Sequence, residues 1–181
     1  GSGMRAVMET ALKIKSNENQ LLVAGGQESM SLARHTSLQR VVTKLGHDMM
    51  TDSILSEGLT DVFSKDHMGI TAENVARRYK VTRLEQDEFA FHSYKKAYNA
   101  LKKNYFKNEL ISGPLVDEVR QGTKLEKLSS LKAVFKKNGT VTAGNASSLN
   151  DGASMLLIGS SKYCDSNKIK PIAKIIGWSD Y

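Results

Sequence analysis

The residues of this chain that could do chemistry are four histidines, one cysteine, and a run of amide, hydroxyl and carboxylate side chains between Gly139 and Asp151. Histidine is the ordinary proton carrier near neutral pH. His35, His47 and His92 match no metal-ligand spacing, however, and with a single cysteine no metal site is argued. That cysteine, Cys164, rules out an internal disulfide and fits a reducing compartment. It follows an apolar run and reads as a structural or surface thiol. On spacing alone His67 is a core or surface histidine and Phe135 plain core. Ser147 suits a helix N-cap, where a hydroxyl accepts from a free backbone N–H. Asn145, Asn150 and Asp151 read as groups that bond the backbone of tight turns.

Charge narrows the ligand classes. The 26 basic and 19 acidic residues give a net +7. The basic residues cluster as Lys95, Lys96, Lys102, Lys103 and Lys107, and again as Lys124, Lys127, Lys132, Lys136 and Lys137. Such a surface favours phosphate-bearing ligands, although a lysine run is as readily a solvated helix face. No zinc-finger spacing or aromatic RNA-binding motif accompanies it, so no nucleic-acid partner is expected. No apolar run approaches the roughly 20 residues of a membrane span. Gly1–Gly3 is neither a signal peptide nor a basic presequence.

The elements that must position these residues follow from periodicity. Met4, Val7, Met8, Ala11, Leu12 and Ile14 repeat at helical spacing over residues 4–16. Leu21–Ala24 is a short apolar run closed by Gly25-Gly26, the signal of a buried strand ending in a turn. Residues 32–70 read as loop and short helices, and 72–80 as a helix. Thr82-Arg83-Leu84-Glu85 fits a capping box, opening a helix to about Leu101 with Phe89, Ser93, Ala97 and Leu101 on one face. Residues 110–123 read as loop, and a short helix is expected near 125–131. Thr140–Thr142 is extended, and Ser147 is expected to open a helical turn through Asp151. Met155–Ile158 is a second buried strand, and Ile172–Ile176 a third. Helix followed at once by buried strand predicts an α/β layered core interrupted by a mainly helical insertion.

Two glycine-rich stretches carry a resemblance. Val23-Ala24-Gly25-Gly26-Gln27-Glu28-Ser29-Met30-Ser31 and Gly139-Thr140-Val141-Thr142-Ala143-Gly144-Asn145-Ala146-Ser147-Ser148-Leu149-Asn150-Asp151-Gly152-Ala153 both resemble thiolase signatures. Between them Glu57–Asp61, His67–Ala76 and Glu85–Ala90 resemble the thiolase loop domain, in the right order. The chain is similar to thiolases over essentially its whole length, nearest the short-chain, acetoacetyl-CoA type, as an internal fragment. Ser148 stands where glycine is frequent and Gln27 where methionine is. Between Leu110 and Val116 the chain is shorter than the family pattern, with Ile111-Ser112-Gly113-Pro114 in place of a hairpin.

The resemblance implies a partial thiolase fold, a layered α-β-α-β-α core with a mainly helical loop-domain insertion. Residues 1–30 and 139–165 would belong to the N-terminal core domain, 31–138 to a coenzyme A-binding loop domain, and 166–181 to the start of the C-terminal domain. It implies an acetyl-CoA C-acetyltransferase that condenses two acetyl-CoA into acetoacetyl-CoA, or runs the thiolytic reverse, through an acyl-cysteine. A longer-chain 3-ketoacyl-CoA thiolase and a non-catalytic scaffold subunit are the alternatives. The run Gly1-Ser2-Gly3-Met4-Arg5-Ala6-Val7 resembles the one that follows the nucleophilic cysteine, which is expected just before Gly1. A thiolate there would meet the positive end of a helix dipole. The family's histidine, asparagine and second cysteine are expected after Tyr181, so these 181 residues alone are expected to be inactive.

Leu59, His67, Met68, Arg120, Phe135, Ala143 and Ser147 resemble coenzyme A contacts. His67 and Met68 would line the acyl and pantetheine end, with Leu59 beside the pantetheine. Ser147 would bond a pantetheine amide, Ala143 and Phe135 would form wall, and Arg120 would meet adenine and phosphate. No metal and no tightly bound cofactor are implied; a coenzyme A thioester is the substrate. The implied partners are acyl-CoA, the remaining part of the thiolase chain, and further copies in a homodimer or homotetramer. Alone, the chain is expected to expose apolar core and strand edges. The implied compartment is cytoplasmic or mitochondrial, ahead of peroxisomal.

Overall fold

The computed structural model describes residues 1–37, 49–111 and 119–179. The chain divides into two compact units, one of residues 1–33 with 149–181, the other of residues 34–148.

In the first unit, helix α1 (Ser2–Lys15) buries Thr10 and Ala11, carries an Arg5–Glu9 ion pair of 2.8 Å one turn apart, and ends with Lys13 and Lys15 in its last turn. Cations there face the negative end of the helix dipole. α1 packs on strand β1 (Leu21–Ser29), which pairs antiparallel with β4 (Asp151–Gly159), from Leu21 opposite Gly159 to Ser29 opposite Asp151. Side chains alternate between the faces of a strand. Ala24 is therefore buried at 5% exposure, while Val23 and its partner Leu157 are 64% and 66% exposed. A short helix α5 (Ser161–Ser166) follows, capped by the Ser160 hydroxyl accepting from Tyr163 N at 3.1 Å.

Four expectations are corrected here. β1 does not end at Gly25-Gly26 but runs through them. A Cβ on Gly25 would stand 2.0 Å from the Ser154 carbonyl oxygen, so the glycine serves close strand approach rather than a turn. Neither strand is buried as a whole: α1 packs chiefly on β1, and along β4 the consecutive Met155, Leu156 and Leu157 are all exposed. No helical turn opens at Ser147; residues 147–150 have no regular structure and lead straight into β4. Ile172–Ile176 is not a strand, and Ile172 and Ile176 are exposed.

The second unit is mostly helical. The two-residue strands β2 (His35–Thr36) and β3 (Thr51–Asp52) pair antiparallel, and a π-helical turn occupies Ile54–Gly58. Helix α2 (Met68–Tyr79) stops at Lys80, which adopts the left-handed conformation (φ 56°) while Val81 N donates to the Ala76 carbonyl at 2.9 Å. Helix α3 (Arg83–Lys102) opens with the expected capping box: Thr82 Oγ1 accepts from Glu85 N, and Glu85 Oε2 accepts from Thr82 N at 2.7 Å. Its inward face lies to one side of the expected one. Phe89 is 79% exposed, and Asp87 and Ala90 are the buried positions. Helix α4 (Leu125–Ser129) ends against Arg83, whose guanidinium donates to the carbonyls of Leu128 (2.7 Å) and Leu131 (3.0 Å). The Leu128 carbonyl also accepts from Leu131 N (3.1 Å), and the cation adds a second donor at this helix end.

Candidate functional site

The densest chemistry lies in the second unit, where the π turn delivers the chain to α2. A π turn is a departure from regular helix often found at functional sites. After it the chain folds back on itself: Met68 N donates to the Leu59 carbonyl (2.8 Å), Asp61 N to the Asp66 carbonyl (2.8 Å), and Thr60 and His67 form an antiparallel bridge. Asp61 fastens the turn by accepting from Ser64 N (2.7 Å) and Phe63 N (2.9 Å). Those N–H groups hold its carboxyl below the usual aspartate range. Leu59, His67 and Met68, three of the sequence-predicted contacts, are thereby brought side by side.

His67 is the N-cap of α2. Its Nδ1 accepts from Gly69 N at 2.9 Å. Because that nitrogen is an acceptor, the neutral ring carries its proton on Nε2 and presents Nε2–H as a donor. The ring stacks on Phe135, with centroids 4.7 Å apart and planes 20° apart. Gly69 makes the stack possible, since a Cβ there would lie 2.2 Å from Phe135 Cγ. The sequence marked both residues, but neither the capping role nor the stack has a local signature.

Phe135 sits on a short extended segment. Val134 N donates to the Val141 carbonyl (3.1 Å), and Ala133 bridges Thr142. Ala143 directly follows Thr142 and is exposed, as is Ser147. Among the described residues no hydrogen bond links Ser147 to His67, and no hydrogen bond, ion pair or ring contact ties Arg120 to the His67–Phe135 pair. Arg120 is exposed, its carbonyl accepting from the Thr123 hydroxyl at 3.1 Å.

The loop carrying Ala143 and Ser147 is held by Asn145 and by two carboxylates, Glu73 and Asp87, to which the sequence assigned no role. Glu73 of α2, 7% exposed, accepts from Thr140 N (2.7 Å), Val141 N (2.8 Å) and the Thr140 hydroxyl (3.1 Å). Burial pushes its carboxyl up, but donation from Val141 and Thr140, helped by the Lys136 charge, outweighs this and leaves it below the ordinary glutamate value. Asp87 of α3, fully buried, accepts from Arg83 Nε (2.7 Å) and Asn145 Nδ2 (3.0 Å). Asn145 in turn accepts from Thr142 N (2.8 Å) and donates to the Thr140 carbonyl (3.1 Å). The expected turn-bonding role therefore holds for Asn145. Asp151 instead accepts from the backbone N–H and hydroxyl of Ser31, across from the end of β1.

Among the described residues no group of three or more histidine, cysteine or acidic side chains could hold a metal, and no helix is long and apolar enough to cross a membrane. His47 and the segment 112–118, where the chain departs from the family pattern, lie outside the described residues. Cys164 is a free, half-buried thiol beside Gly159, 3.3 Å from where a Cβ on that residue would be.

Comparisons with known proteins bear on what this arrangement is. The family model described as "Thiolase, N-terminal domain" matches residues 1–162. An acetyl-CoA acetyltransferase of Rhizobium meliloti (strain 1021) is 43% identical over 192 residues, covering 99% of this chain and 48% of that protein. A probable acetyl-CoA acyltransferase of Staphylococcus aureus (strain bovine RF122 / ET3-1) is 42% identical over 194 residues, covering 100% and 49%. The crystal structure of the Bacillus anthracis acetyl-CoA acetyltransferase superposes with a TM-score of 0.83 at 35% identity, covering 94% of this chain and 46% of that one. The acetyl-CoA acetyltransferase from Syntrophomonas wolfei gives 0.84 at 34% identity, with 94% and 45% covered. The chain spans about half the length of the curated relatives it matches, and its mixed α/β architecture is part of a thiolase fold. By the family match over residues 1–162 and by this likeness along its length, the chain belongs to the thiolase family.

Proposed function

We propose that the whole protein is an acetyl-CoA C-acetyltransferase, and that residues 31–138 are its coenzyme A-binding loop domain, which lies almost wholly within the compact unit 34–148. The observation that carries the reading is His67. It is locked by Gly69 so that Nε2–H is its free donor, and it is backed by the flat face of Phe135. A donor beside an aromatic wall suits the arm of an acyl thioester, which alternates amide carbonyls with apolar methylenes. Leu59 and Met68 supply apolar surface next to it, and Ala143 and Ser147 are proposed as the facing wall and an amide partner. Arg120 is proposed to meet the adenine and phosphates, for which a planar cation is suited.

The chemistry follows from the thioester. A cysteine sulfur ahead of α1 would take the acetyl group and release coenzyme A. The α-carbon of a second acetyl-CoA, having lost a proton to a base, would then attack that acyl group and return the sulfur. Covalent capture divides one hard carbon–carbon step into two easier ones. His67 is assigned to substrate contact and not to proton transfer. Assembly into two or four copies belongs to the same proposal, and sedimentation of the whole protein checks it.

The test is turnover and binding by the full-length protein. Thiolysis of acetoacetyl-CoA and micromolar to millimolar coenzyme A affinity are expected, with His67→Ala raising KM more than it lowers kcat. A full-length protein that neither binds coenzyme A nor turns over acetoacetyl-CoA would remove the reading.

A further inference from the structure

Two buried carboxylates take no part in the proposed chemistry, yet both reach the same loop. Glu73 comes from α2, the helix that His67 caps, and grips residues 140 and 141. Asp87 comes from α3 and grips Asn145, two residues from Ala143 and two from Ser147. Between these anchors Thr142 is fully buried, and its hydroxyl accepts from Gly144 N (3.1 Å) and Asn145 N (3.3 Å). A buried carboxylate without partners is costly, and these have theirs: Glu73 takes three donors from the loop, Asp87 one from Arg83 and one from Asn145. A fully satisfied buried network fixes one conformation. Ala143 and Ser147 are themselves exposed, so their orientation is set by what lies beneath.

We infer that Glu73 and Asp87 are positioning residues, which hold the 140–147 loop in the one geometry that binds the thioester arm and couple that loop to the helix bearing His67. The inference rests on the coenzyme A reading above. Asp87 acts through Asn145, and Glu73 through the Thr140 and Val141 backbone.

The test is calorimetric titration of coenzyme A into the full-length protein and four variants, with melting temperatures recorded beside the affinities. Asn145→Asp sets two carboxylates against each other at the 3.0 Å contact. Asp87→Asn, with its oxygen retained by Arg83, sets two amide donors against each other. Each is expected to weaken coenzyme A about tenfold, the scale of one lost charge-assisted hydrogen bond. The double variant Asp87→Asn/Asn145→Asp restores one donor and one acceptor with their direction reversed, and should recover at least about threefold of the loss. Glu73→Gln, which keeps shape and loses charge, should weaken binding about threefold by the other anchor, well within the range of one hydrogen bond, and it decides the matter if the Asn145 variant does not fold.

Weakened single variants with recovery in the double support positioning. Folded variants that bind coenzyme A like the parent, with only their melting temperatures lowered, overturn it. A parent that binds no coenzyme A overturns the function proposed above, and this inference with it.

Discussion

The two units of this chain are held together by different physics. In the first, residues 1–33 and 149–181, a helix lies on a two-stranded ladder, and the side-chain bonds from Ser31 to Asp151 at its end are exposed. Apolar side chains at Val23, Met155 and Leu157 face outward. In the second, residues 34–148, buried polar groups share the described interior with apolar ones: Asp87 and Thr142 are its most deeply buried side chains, Glu73 is buried, as are Leu128 and Val141, and Arg83 donates to Asp87 and to the carbonyls of Leu128, Ser129 and Leu131. The contrast separates two kinds of specification. Backbone ladder and apolar periodicity suffice for layered elements, whereas the irregular 140–147 loop is fixed by buried hydrogen bonds whose directions allow one arrangement.

The comparison can be broken most forcefully at Arg83. Arg83→Met leaves the Asp87 carboxylate buried without its cation, takes the guanidinium donor from the Leu131 carbonyl, and leaves the Leu128 carbonyl with the Leu131 N–H alone. A loss of about 3–5 kcal/mol is expected, the cost of removing one partner of a buried pair, measured by urea unfolding of the protein. A loss under about 1 kcal/mol, the scale of an exposed pair, would mean that the second unit is not held in this way. Next in size is Gly69→Ala, which drives a methyl into Phe135. About 1–3 kcal/mol is expected for such overpacking, together with loss of the His67 stack, visible as a changed near-ultraviolet dichroism. Thr82→Ala removes the capping hydroxyl of α3 and should cost about 1 kcal/mol, read by the same unfolding measurement.

The smallest effect is in the response to acid. Donation from Val141 and Thr140 lowers the folded Glu73 carboxyl below its unfolded value. Near that value the unfolded chain binds more protons, so stability rises with pH. The contribution is complete above the ordinary glutamate range and fades as pH falls through the lowered value. Glu73→Gln should flatten that part of the stability–pH curve. Asp151, also lowered, chiefly by the Ser31 hydroxyl and then by its backbone N–H, is exposed, and Asp151→Asn should leave the curve almost unchanged. Equal flattening by both would erase the distinction between the units.

How much was legible in the sequence divides along the same line. Helical spacing from Met4 to Ile14 gave α1, the apolar runs gave β1 and β4, and Thr82 with Glu85 announced the start of α3. Each of these signals lies within a few residues of what it specifies. The misreadings came where a residue answers to a distant neighbour. Gly25 resembles a turn glycine until the Ser154 carbonyl is beside it. Phe89 seemed to mark the inner face of α3 because it is apolar, while the buried position is Asp87, made tolerable by Arg83 on its own helix and by Asn145, 58 residues away. Glu73 finds its donors 67 and 68 residues along the chain. The proposed binding residues His67, Phe135 and Ser147 were legible only through family resemblance, since no local pattern predicts that Gly69 admits the Phe135 ring against His67.

The central claim is that the face made by His67, Phe135 and the 143–147 loop receives the arm of a coenzyme A thioester. A crystal structure of the full-length protein soaked with coenzyme A tests it most directly. The account predicts the pantetheine chain lying along the Phe135–His67 stack, with Nε2 of His67 within hydrogen-bond reach of the ligand and Ser147 bonded to an amide. Coenzyme A bound on another surface, with His67 and Ser147 both untouched, would contradict it.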